Sequence, residues 1–590
     1  MLTKHIHLDL EVDFHKRALI GDAVLCFIKI NPNAKFLILD VKDIRIQSIK
    51  DETTGGHLKF NFGAPNQFGE KLVVQIPTTV SKKGELRISY KTSPKSKALT
   101  WLSPPQTAGK KYPYMFSMAP TIHARTIFPC QDTPSVKTTF SAAITAPKNL
   151  TVLMSATRAR TKIIDDKRVS KFKQQIPVMS YLIAIAVGAI ESRRIGPRSQ
   201  VWSEAELIEK AAFDFSETDE MIKTAEQLCG PYEWKIFDIL VLPPSFIYGG
   251  MENPCMSFLS PTALSGDKSN ADVIAHDIVH SWAGNLVTNV NFEHFWINEG
   301  VTTYLERKVI GKLDGEPSRH LHAILKWKDL EAEVESLGPS NHLTALVTNL
   351  TTVHPDNALT EIPFEKGSTF LWYLEDVVGG ATVFEPFLKS FFKDFSKQSI
   401  DSEQFKSYFI KYFYNVEALQ TIDWDTWLYK PGMPIYKPQF DNSMAKKCWN
   451  LAKKWKQWNM KRRKVWKIEF HSFSPLQKQE FLSSLFNGPP LNHLKLNSME
   501  KLYSLNGSPN YEILFRWLRL GIKARWIPIV QPALKLLSEQ GRLKYSKQIF
   551  KDLYDWKEMR PKAISTFLAH KDEMSLLYVE IISKMLHLTL

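Results

Sequence analysis

The chain has 590 residues, a formal charge of +15 at pH 7, 44% hydrophobic residues and 23% charged residues. This length is too great for one hydrophobic core, so we expect three or four domains of ordinary globular composition. No apolar run reaches the roughly 18 residues that a membrane-spanning helix needs, and five cysteines without paired spacing predict reduced thiols. The positive charge indicates an anionic partner, without choosing among nucleic acid, a membrane surface and acidic substrates.

Residues 1–190 are predicted to form a β-rich, sandwich-like domain. Apolar residues alternate with polar ones at Ile6, Leu8, Leu10, Val12 and Phe14, and turn-forming residues interrupt the chain at short intervals afterwards. The opening segment lacks the apolar core of a secretory signal, so we expect a cytoplasmic protein without stable membrane insertion.

The rest of the chain changes from a mixed to a helical pattern. Residues 191–430 are mixed, and a helix is predicted there from Ser203 as N-cap to Gly230 as stop. Proline and glycine at residues 429–438 predict a linker, and residues 439–590 have helical periodicity almost throughout. The predicted fold class is therefore a multidomain α+β protein with a β-rich first domain and an α-helical last domain.

Residues 446–467 are the densest basic stretch, with four tryptophans among the lysines and arginines. Leu451, Trp455 and Trp458 have the spacing of one helix face, which favours an amphipathic helix with its tryptophans in the core. Binding of nucleic acid, a membrane or a regulatory partner is the alternative. We favour the helix and expect no nucleic-acid partner.

Two histidines four residues apart, His276 and His280, form the strongest chemical signal. A capping box of Ser269 and Asp272 before them, and Gly284 after them, predict a helix that presents both imidazoles from one side. Two imidazoles at this spacing can bind one zinc ion, and a third protein ligand would leave the open position that a catalytic metal needs.

A third ligand follows in the next helical segment. Glu299 lies nineteen residues after His280 and can complete a set of two histidines and one glutamate. Glu306 lies seven residues further on, on roughly the same helix face, and can orient a ligand from outside the metal's own shell. The sequence therefore predicts one zinc ion per chain.

The segment YGGMENP, from Tyr248 to Pro254, follows an apolar strand and contains paired glycines. Glycines let a backbone approach a ligand closely, and Glu252 offers a carboxylate to a cationic group.

Together these motifs resemble the gluzincin-type zinc aminopeptidases, and within them the leukotriene A4 hydrolases. The resemblance covers most of the chain and includes four further segments: FPCQDTPSVK (128–137), GNLVTN (284–289), FRWLRL (515–520) and SEQGRLKYSKQIFKDL (538–553). It implies a β N-terminal domain, a thermolysin-like zinc catalytic domain over residues 191–430 and an armadillo-like helical C-terminal domain. It also implies removal of N-terminal residues from short peptides and, in this branch, opening of a fatty-acid epoxide in leukotriene formation.

The resemblance assigns roles to the residues already singled out. It implies that His276, His280 and Glu299 hold zinc with Glu306 behind them, and that Glu252 binds the substrate's free α-amine. The substrate would lie against four neighbouring residues of the same motif: Tyr248, Gly249, Gly250 and Met251.

Three more residues are assigned in the same way. Arg542 and Lys544 match positions that bind a substrate carboxylate, a role suited to the fork geometry of arginine. Asp356 matches an acidic residue that assists epoxide hydrolysis.

The chain departs from the family at the catalytic positions. Asp277 stands where the family has the general-base glutamate, and Phe364 stands where it has the tyrosine that stabilises the oxyanion. Leu359 replaces a second tyrosine, and Pro120 aligns with a glutamine that helps to bind the amine.

These departures and the basic stretch leave three hypotheses for the function. A misplaced base lowers the rate of peptide hydrolysis on the order of 100-fold, and a lost oxyanion donor lowers it about 100- to 1000-fold. The first hypothesis is therefore a weakened zinc aminopeptidase and epoxide hydrolase. The second hypothesis is a zinc-binding pseudoenzyme that binds peptides or a protein partner. The third is a nucleic-acid or membrane-surface binder that uses residues 446–467.

Overall fold

The first third of the protein is built from β-strands. The computed structural model describes residues 1–270, 272–459 and 466–589. Fourteen of its strands precede residue 189: β1 (Leu2–Asp13), β2 (Ala18–Ile28), β3 (Phe36–Val41), β4 (Ile44–Asp51), β5 (Phe60–Phe62), β6 (Glu70–Gln75), β7 (Lys83–Thr92), β8 (Leu99–Leu102), β9 (Tyr114–Ser117), β10 (Thr138–Pro147), β11 (Thr151–Met154), β12 (Thr157–Ile164), β13 (Lys167–Val178) and β14 (Ile185–Gly188).

These strands form three sheets around a shared core. The largest has the order β12-β13-β10-β1-β2-β7-β4, and smaller sheets have the orders β11-β14-β9-β8 and β3-β6-β5. In β1 the alternating residues Ile6, Leu8, Leu10 and Val12 are all buried, because successive side chains of a strand point to opposite faces. The predicted β-rich N-terminal domain is confirmed.

The middle of the chain mixes strands and helices. Its elements are β15 (Ile190–Arg194), β16 (Gln200–Glu204), α1 (Ile208–Asp214), α2 (Thr218–Cys229), β17 (Asp238–Val241), β18 (Gly250–Met251), β19 (Met256–Leu259), α3 (Asp272–Val279), β20 (Thr288–Asn289), α4 (Trp296–Asp314), α5 (Glu316–Leu337), α6 (Glu361–Val378), α7 (Ala381–Asp394), β21 (Ser399–Ile400), α8 (Ser402–Tyr412) and α9 (Trp424–Tyr429). A five-stranded sheet, β15-β16-β17-β19-β18, has the short strand β18 at its edge.

Two local predictions in this region are wrong in their bounds. Ser203 does not cap a helix but lies in β16, because its backbone pairs with Glu191 of the neighbouring strand. Gly230 does end α2, with a positive φ of 98°. Helix α3 ends at Val279, earlier than predicted, because Ser281 bonds back only three residues, to the carbonyl oxygen of Ile278. The predicted capping box depends on the side chain of Asp272, which lies outside the described part of the chain.

The C-terminal region is entirely helical within its described residues. Residues 430–442 hold neither helix nor strand. Nine helices follow: α10 (Ser443–Gln457), α11 (Lys467–His471), α12 (Pro475–Phe486), α13 (His493–Tyr503), α14 (Tyr511–Lys523), α15 (Val530–Glu539), α16 (Leu543–Asp555), α17 (Arg560–His570) and α18 (Leu576–Met585). Helices α10, α12, α14, α16 and α18 pack on one another in that order, which is the stacking of a helical repeat domain.

The basic tryptophan-rich stretch begins as an amphipathic helix. In α10, Leu451 and Trp455 are buried while Lys453 and Lys454 are exposed, as predicted. Trp458 was predicted on the same helix face, but the helix ends at Gln457 and Trp458 follows it in an extended conformation, partly buried. Residues 460–465, which hold the rest of the basic cluster, lie outside the described part. None of the described helices combines the length and apolarity that crossing a lipid bilayer would require.

Candidate metal centre and substrate cleft

The predicted metal ligands lie together where α3 and α4 meet. Nε2 of His276 and Nε2 of His280 are 3.1 Å apart, and each lies close to Oε2 of Glu299, at 3.5 and 3.3 Å. A zinc ion with bonds of about 2.0–2.1 Å needs ligand atoms roughly 3.3 Å apart at the corners of a tetrahedron. The three side chains therefore already have the separations that one tetrahedral ion requires.

The other ring nitrogens indicate which tautomer each imidazole would adopt when it binds a metal. Nδ1 of His280 lies 2.9 Å from the carbonyl oxygen of Ala283, which can only accept, so this nitrogen donates and leaves the Nε2 lone pair free for a metal. Nδ1 of His276 lies 2.9 Å from Oε2 of Glu306 and donates in the same way. Such outer partners fix the orientation of a ligating imidazole.

The charged groups of this cluster shift one another's pKa values. Burial alone would raise the pKa of Glu299, but the two imidazoles lower it to about 2. Burial would lower the pKa of His276, but hydrogen bonds and charge from Glu299 and Glu306 hold it well above its ordinary value. Glu299 is only 5% exposed, and a buried carboxylate facing two imidazoles is the donor set that a divalent ion completes.

Asp277 lies beside this cluster but is held by the adjacent sheet. Its carboxylate accepts a short hydrogen bond from the Ser257 hydroxyl of β19 and lies against Gly250 of β18, where a Cβ atom would come within 2.8 Å of Oδ2. Burial raises the pKa of Asp277 to about 7, against the hydrogen bond from Ser257. Ser257 was not predicted, because a serine in a buried strand has no distinguishing local pattern.

Phe364 lies next to the metal cluster on α6. Its ring is stacked on the imidazole of His276 with the centroids 6.0 Å apart. A phenyl ring at this place gives packing to the imidazole but no hydrogen-bond donor. Leu359 packs on the core in the turn before α6, and Pro120 lines a neighbouring cavity.

The segment around β18 forms the other wall of the cleft. Gly249 faces the side chain of Arg542, and a Cβ atom there would lie 2.5 Å from Nη2. The negative charge of Glu252 acts on His280 and Asp277, so this carboxylate is close to the cluster. Tyr248 is partly buried and Met251 is buried.

Arg542 and Lys544, which are predicted to bind a substrate carboxylate, differ in their hydrogen-bond partners. Nη1 of Arg542 donates to the hydroxyl of Thr262, while Nε is buried without a hydrogen-bond partner among the described residues. The ammonium of Lys544 instead donates to Glu512 at 2.5 Å. Arg542 therefore reaches the cleft, whereas Lys544 already has an ion-pair partner.

Asp356 lies at the start of the turn before α6, away from the metal ligands in sequence. Oδ1 accepts a hydrogen bond from the Thr121 hydroxyl, and Oδ2 lies 2.9 Å from Nε2 of His123. Both partners come from the N-terminal domain and were not predicted, because they are more than 230 residues away in the chain.

Two histidines and a glutamate that are largely buried lie near an edge strand and an arginine whose Nε has no hydrogen-bond partner among the described residues. This arrangement is typical of a metallohydrolase of the peptidase class. Comparison with protein families agrees with this class. A model of the peptidase M1 N-terminal domain matches residues 2–182, one of the peptidase family M1 domain matches 213–427, and one of the leukotriene A4 hydrolase C-terminal domain matches 473–586. The chain therefore belongs to peptidase family M1, in its leukotriene A4 hydrolase branch.

Individual relatives resemble the chain over almost its whole length. It is 42% identical to leukotriene A-4 hydrolase of Xenopus laevis, over 99% of this chain and 97% of that protein. It is 37% identical to leucine aminopeptidase 2 of Neosartorya fischeri, over 97% and 94% of the two chains. The solved structure of yeast LTA4 hydrolase in complex with bestatin matches with a TM-score of 0.93 and 35% identity, over 100% of this chain and 96% of that one.

Proposed function

We propose that the protein is a zinc-dependent aminopeptidase of short peptides whose hydrolytic step is weakened by Asp277 and Phe364. The observation that carries the proposal is the convergence of ligand atoms from His276, His280 and Glu299 within 4.8 Å of one another. When bound there, zinc would supply Lewis-acid polarisation and a lowered pKa of water.

The N-terminal end of the substrate is assigned to Glu252. Its carboxylate would bind the free α-amine, which makes the enzyme select peptides by their terminus. The exposed edge of β18 would align the peptide backbone, because an edge strand offers unpaired N–H and carbonyl groups to an extended chain. Gly249 and Gly250 keep this edge open, since neither has a side chain.

The C-terminal end of a short substrate is assigned to Arg542. Its buried Nε has no hydrogen-bond partner among the described residues, and a substrate carboxylate would supply one. Lys544 belongs to the same proposal, with a smaller contribution because Glu512 already binds it.

The proton transfers are assigned to Asp277. A carboxylate whose pKa burial raises to about 7 has suitable strength for a general base at neutral pH. Its side chain is one methylene shorter than that of glutamate, so its carboxylate would meet the attacking water in a less favourable position. This should lower the rate of hydrolysis on the order of 100-fold. Phe364 offers no hydrogen bond to the oxyanion, which adds a loss of about 100- to 1000-fold.

Opening of a fatty-acid epoxide is the second part of the proposal. The relative from Xenopus laevis has the name leukotriene A-4 hydrolase, and Asp356 is the acidic residue assigned to that reaction. Epoxide opening needs no tetrahedral oxyanion, so Phe364 should affect it less than peptide hydrolysis.

A zinc-binding pseudoenzyme is the alternative. The observation that favours it is the clustering of substitutions at catalytic positions: Asp277, Leu359, Phe364 and Pro120. All three metal ligands are retained. Such a protein would bind peptides in the same cleft without cleaving them.

The test measures zinc content, peptide binding and hydrolysis separately. We expect one zinc ion held by His276, His280 and Glu299, binding of bestatin in the cleft, and slow hydrolysis of an arginine or alanine anilide that is abolished in His280→Ala. Zinc and bestatin binding without any hydrolysis would establish the pseudoenzyme. A folded protein that binds no zinc would refute both.

A further inference from the structure

A second group of side chains that could hold a metal ion lies apart from His276, His280 and Glu299. It includes Asp356, the residue assigned above to epoxide opening. His354 and Asp356 flank Pro355 in the turn before α6, and His123 approaches them from the segment that follows β9. One ligand atom from each of the three side chains can be chosen so that all lie within 4.8 Å of one another. The cluster therefore joins the N-terminal domain to the middle region.

The geometry centres on one carboxylate oxygen. Oδ2 of Asp356 is 2.9 Å from Nε2 of His123 and 3.4 Å from Nδ1 of His354. The two imidazole rings are stacked with their centroids 5.6 Å apart, so they face Asp356 from adjacent positions. Two imidazoles and a carboxylate are a donor set that suits zinc and other divalent transition metals.

The surroundings support the carboxylate without using the oxygen that a metal would need. The Thr121 hydroxyl donates to Oδ1 at 2.8 Å, which fixes the carboxylate plane and leaves Oδ2 toward the imidazoles. Nδ1 of His354 accepts a hydrogen bond of 3.3 Å from the Asp356 backbone N–H. This hydrogen bond is long and therefore weak, so little binding free energy is lost when Nδ1 binds a metal instead.

The cluster can also be reached from solvent. His123 and Pro120 line a cavity of about 510 Å³ between the N-terminal sheet and the C-terminal helices. The side chain of His354 is 23% exposed and that of Asp356 is 34% exposed. An ion could therefore enter without opening the core.

We propose that His123, His354 and Asp356 form a second binding site for a divalent transition metal, separate from the site of His276, His280 and Glu299. A bound cation would lie between the Asp356 carboxylate and the two imidazoles and would supply that carboxylate with a positive partner. The metal would also cross-link the N-terminal domain to the turn before α6.

The experiment counts metal ions in the full-length protein. After removal of metal with a chelator, the protein is titrated with Zn²⁺ or Co²⁺, and bound metal is measured by calorimetry and native mass spectrometry. We expect two equivalents for the parent protein and one for His354→Asn, in which asparagine can still cap the turn but does not replace an imidazole ligand. Thr121→Val should keep both sites but bind the second ion about 10- to 100-fold more weakly.

Two controls separate this site from the first. His57→Asn changes an exposed histidine elsewhere and should retain two equivalents. His276→Ala should lose only the first site, so the second can be confirmed even if the proposed catalytic function is wrong. The inference is refuted if the parent binds one equivalent, or if folded His354→Asn still binds two.

Discussion

At the scale of single residues, the proposed weakening of hydrolysis rests on two side chains, Asp277 and Phe364. Asp277 is held in the floor of the cleft by Ser257 and Gly250, while Phe364 covers the His276 ring on the other side. Neither replacement disturbs the metal ligands, so binding of zinc and rate of hydrolysis can be changed independently.

The double variant Asp277→Glu with Phe364→Tyr should restore hydrolysis. A longer carboxylate reaches further toward the attacking water and a phenol adds the missing oxyanion donor, so we expect kcat for an alanine anilide to rise at least about 100-fold. The two gains need not multiply, because groups that act together are not additive. Zinc content should not change, and this is the control. A double variant no faster than the parent would show that these residues do not limit catalysis.

The sequence could predict this site because its parts are close together in the chain. His276 and His280 are one helical turn apart, and Glu299 belongs to the next long helix, so their meeting follows from local spacing. The contacts of Asp356 with Thr121 and His123 span more than 230 residues, and no local periodicity encodes such a pairing. The hydrogen bond from Ser257 is equally invisible in a single sequence.

At the scale of elements, the crossing of α4 and α6 sets the separation between Glu299 and Phe364. The two helices touch at Gly300 and Gly367, where a Cβ on Gly300 would lie 2.8 Å from the Cα of Gly367. Because that neighbour is backbone, the contact can be relieved only by moving a whole helix.

Gly300→Ala should therefore damage both stability and the metal site. We expect a loss of about 1–3 kcal/mol in the free energy of unfolding, together with weaker zinc binding, because the added methyl displaces the helix that carries Glu299. Urea unfolding and a chelator competition assay measure the two effects. Gly507→Ala is the matched control, since its added Cβ would meet nothing within 4 Å. Equal free energies of unfolding and equal zinc affinities in the two variants would contradict the tight crossing.

Helix α2 is attached to the middle sheet by a charged contact that depends on pH. Both oxygens of Glu226 accept hydrogen bonds from Arg198, at 3.0 and 2.8 Å. These bonds hold the pKa of Glu226 below its ordinary value of 4.5. The contact therefore stabilises the fold above that pH and loses its contribution as the pH falls through the lowered pKa.

Glu226→Gln should reduce stability at pH 7 by about 1 kcal/mol, a modest value because the pair is partly solvent-exposed. The difference from the parent should shrink as the pH is lowered below about 4.5, where the parent's carboxylate also becomes neutral. Thermal unfolding from pH 7 to pH 3 measures this, with the exposed Glu220→Gln on the same helix as control. A difference independent of pH would exclude the ion pair as its cause.

The helix boundaries near this contact also show where sequence reasoning failed. The pattern of residues 203–230 is helical in composition, yet its first residues pair with β15 as a strand. Tertiary pairing outweighed local propensity there, whereas Gly230 ended α2 as predicted because its φ of 98° depends on the residue itself.

At the scale of the whole molecule, the cleft is shared by regions far apart in the chain. Gly541 and Leu543 donate backbone hydrogen bonds to the carbonyl oxygens of Pro244 and Ile247, just before β18. This contact brings Arg542 against Gly249. The predicted order of three domains is correct, but their meeting at this loop could not be derived from periodicity.

Arg542→Ala should change which substrates bind. Loss of a charge-assisted hydrogen bond of about 1.5–3 kcal/mol should raise KM for a tripeptide roughly 10- to 100-fold. An aminoacyl anilide has no carboxylate, so its KM should be unaffected. Lys544→Ala should have a smaller effect, because Glu512 already occupies the ammonium. A similar rise in KM for both substrates would show that Arg542 only supports the wall of the cleft.

The backbone hydrogen bonds between residues 541–543 and the segment before β18 bring two distant parts of the chain together at the cleft. In the proposed function, residues 276–306 contain the metal ligands and the base, while Arg542, which would bind the far end of the substrate, belongs to the helical domain. Changes in the helical domain can therefore alter the accepted length and terminus of a peptide while the metal centre stays the same. Selection and chemistry are independently adjustable in this architecture.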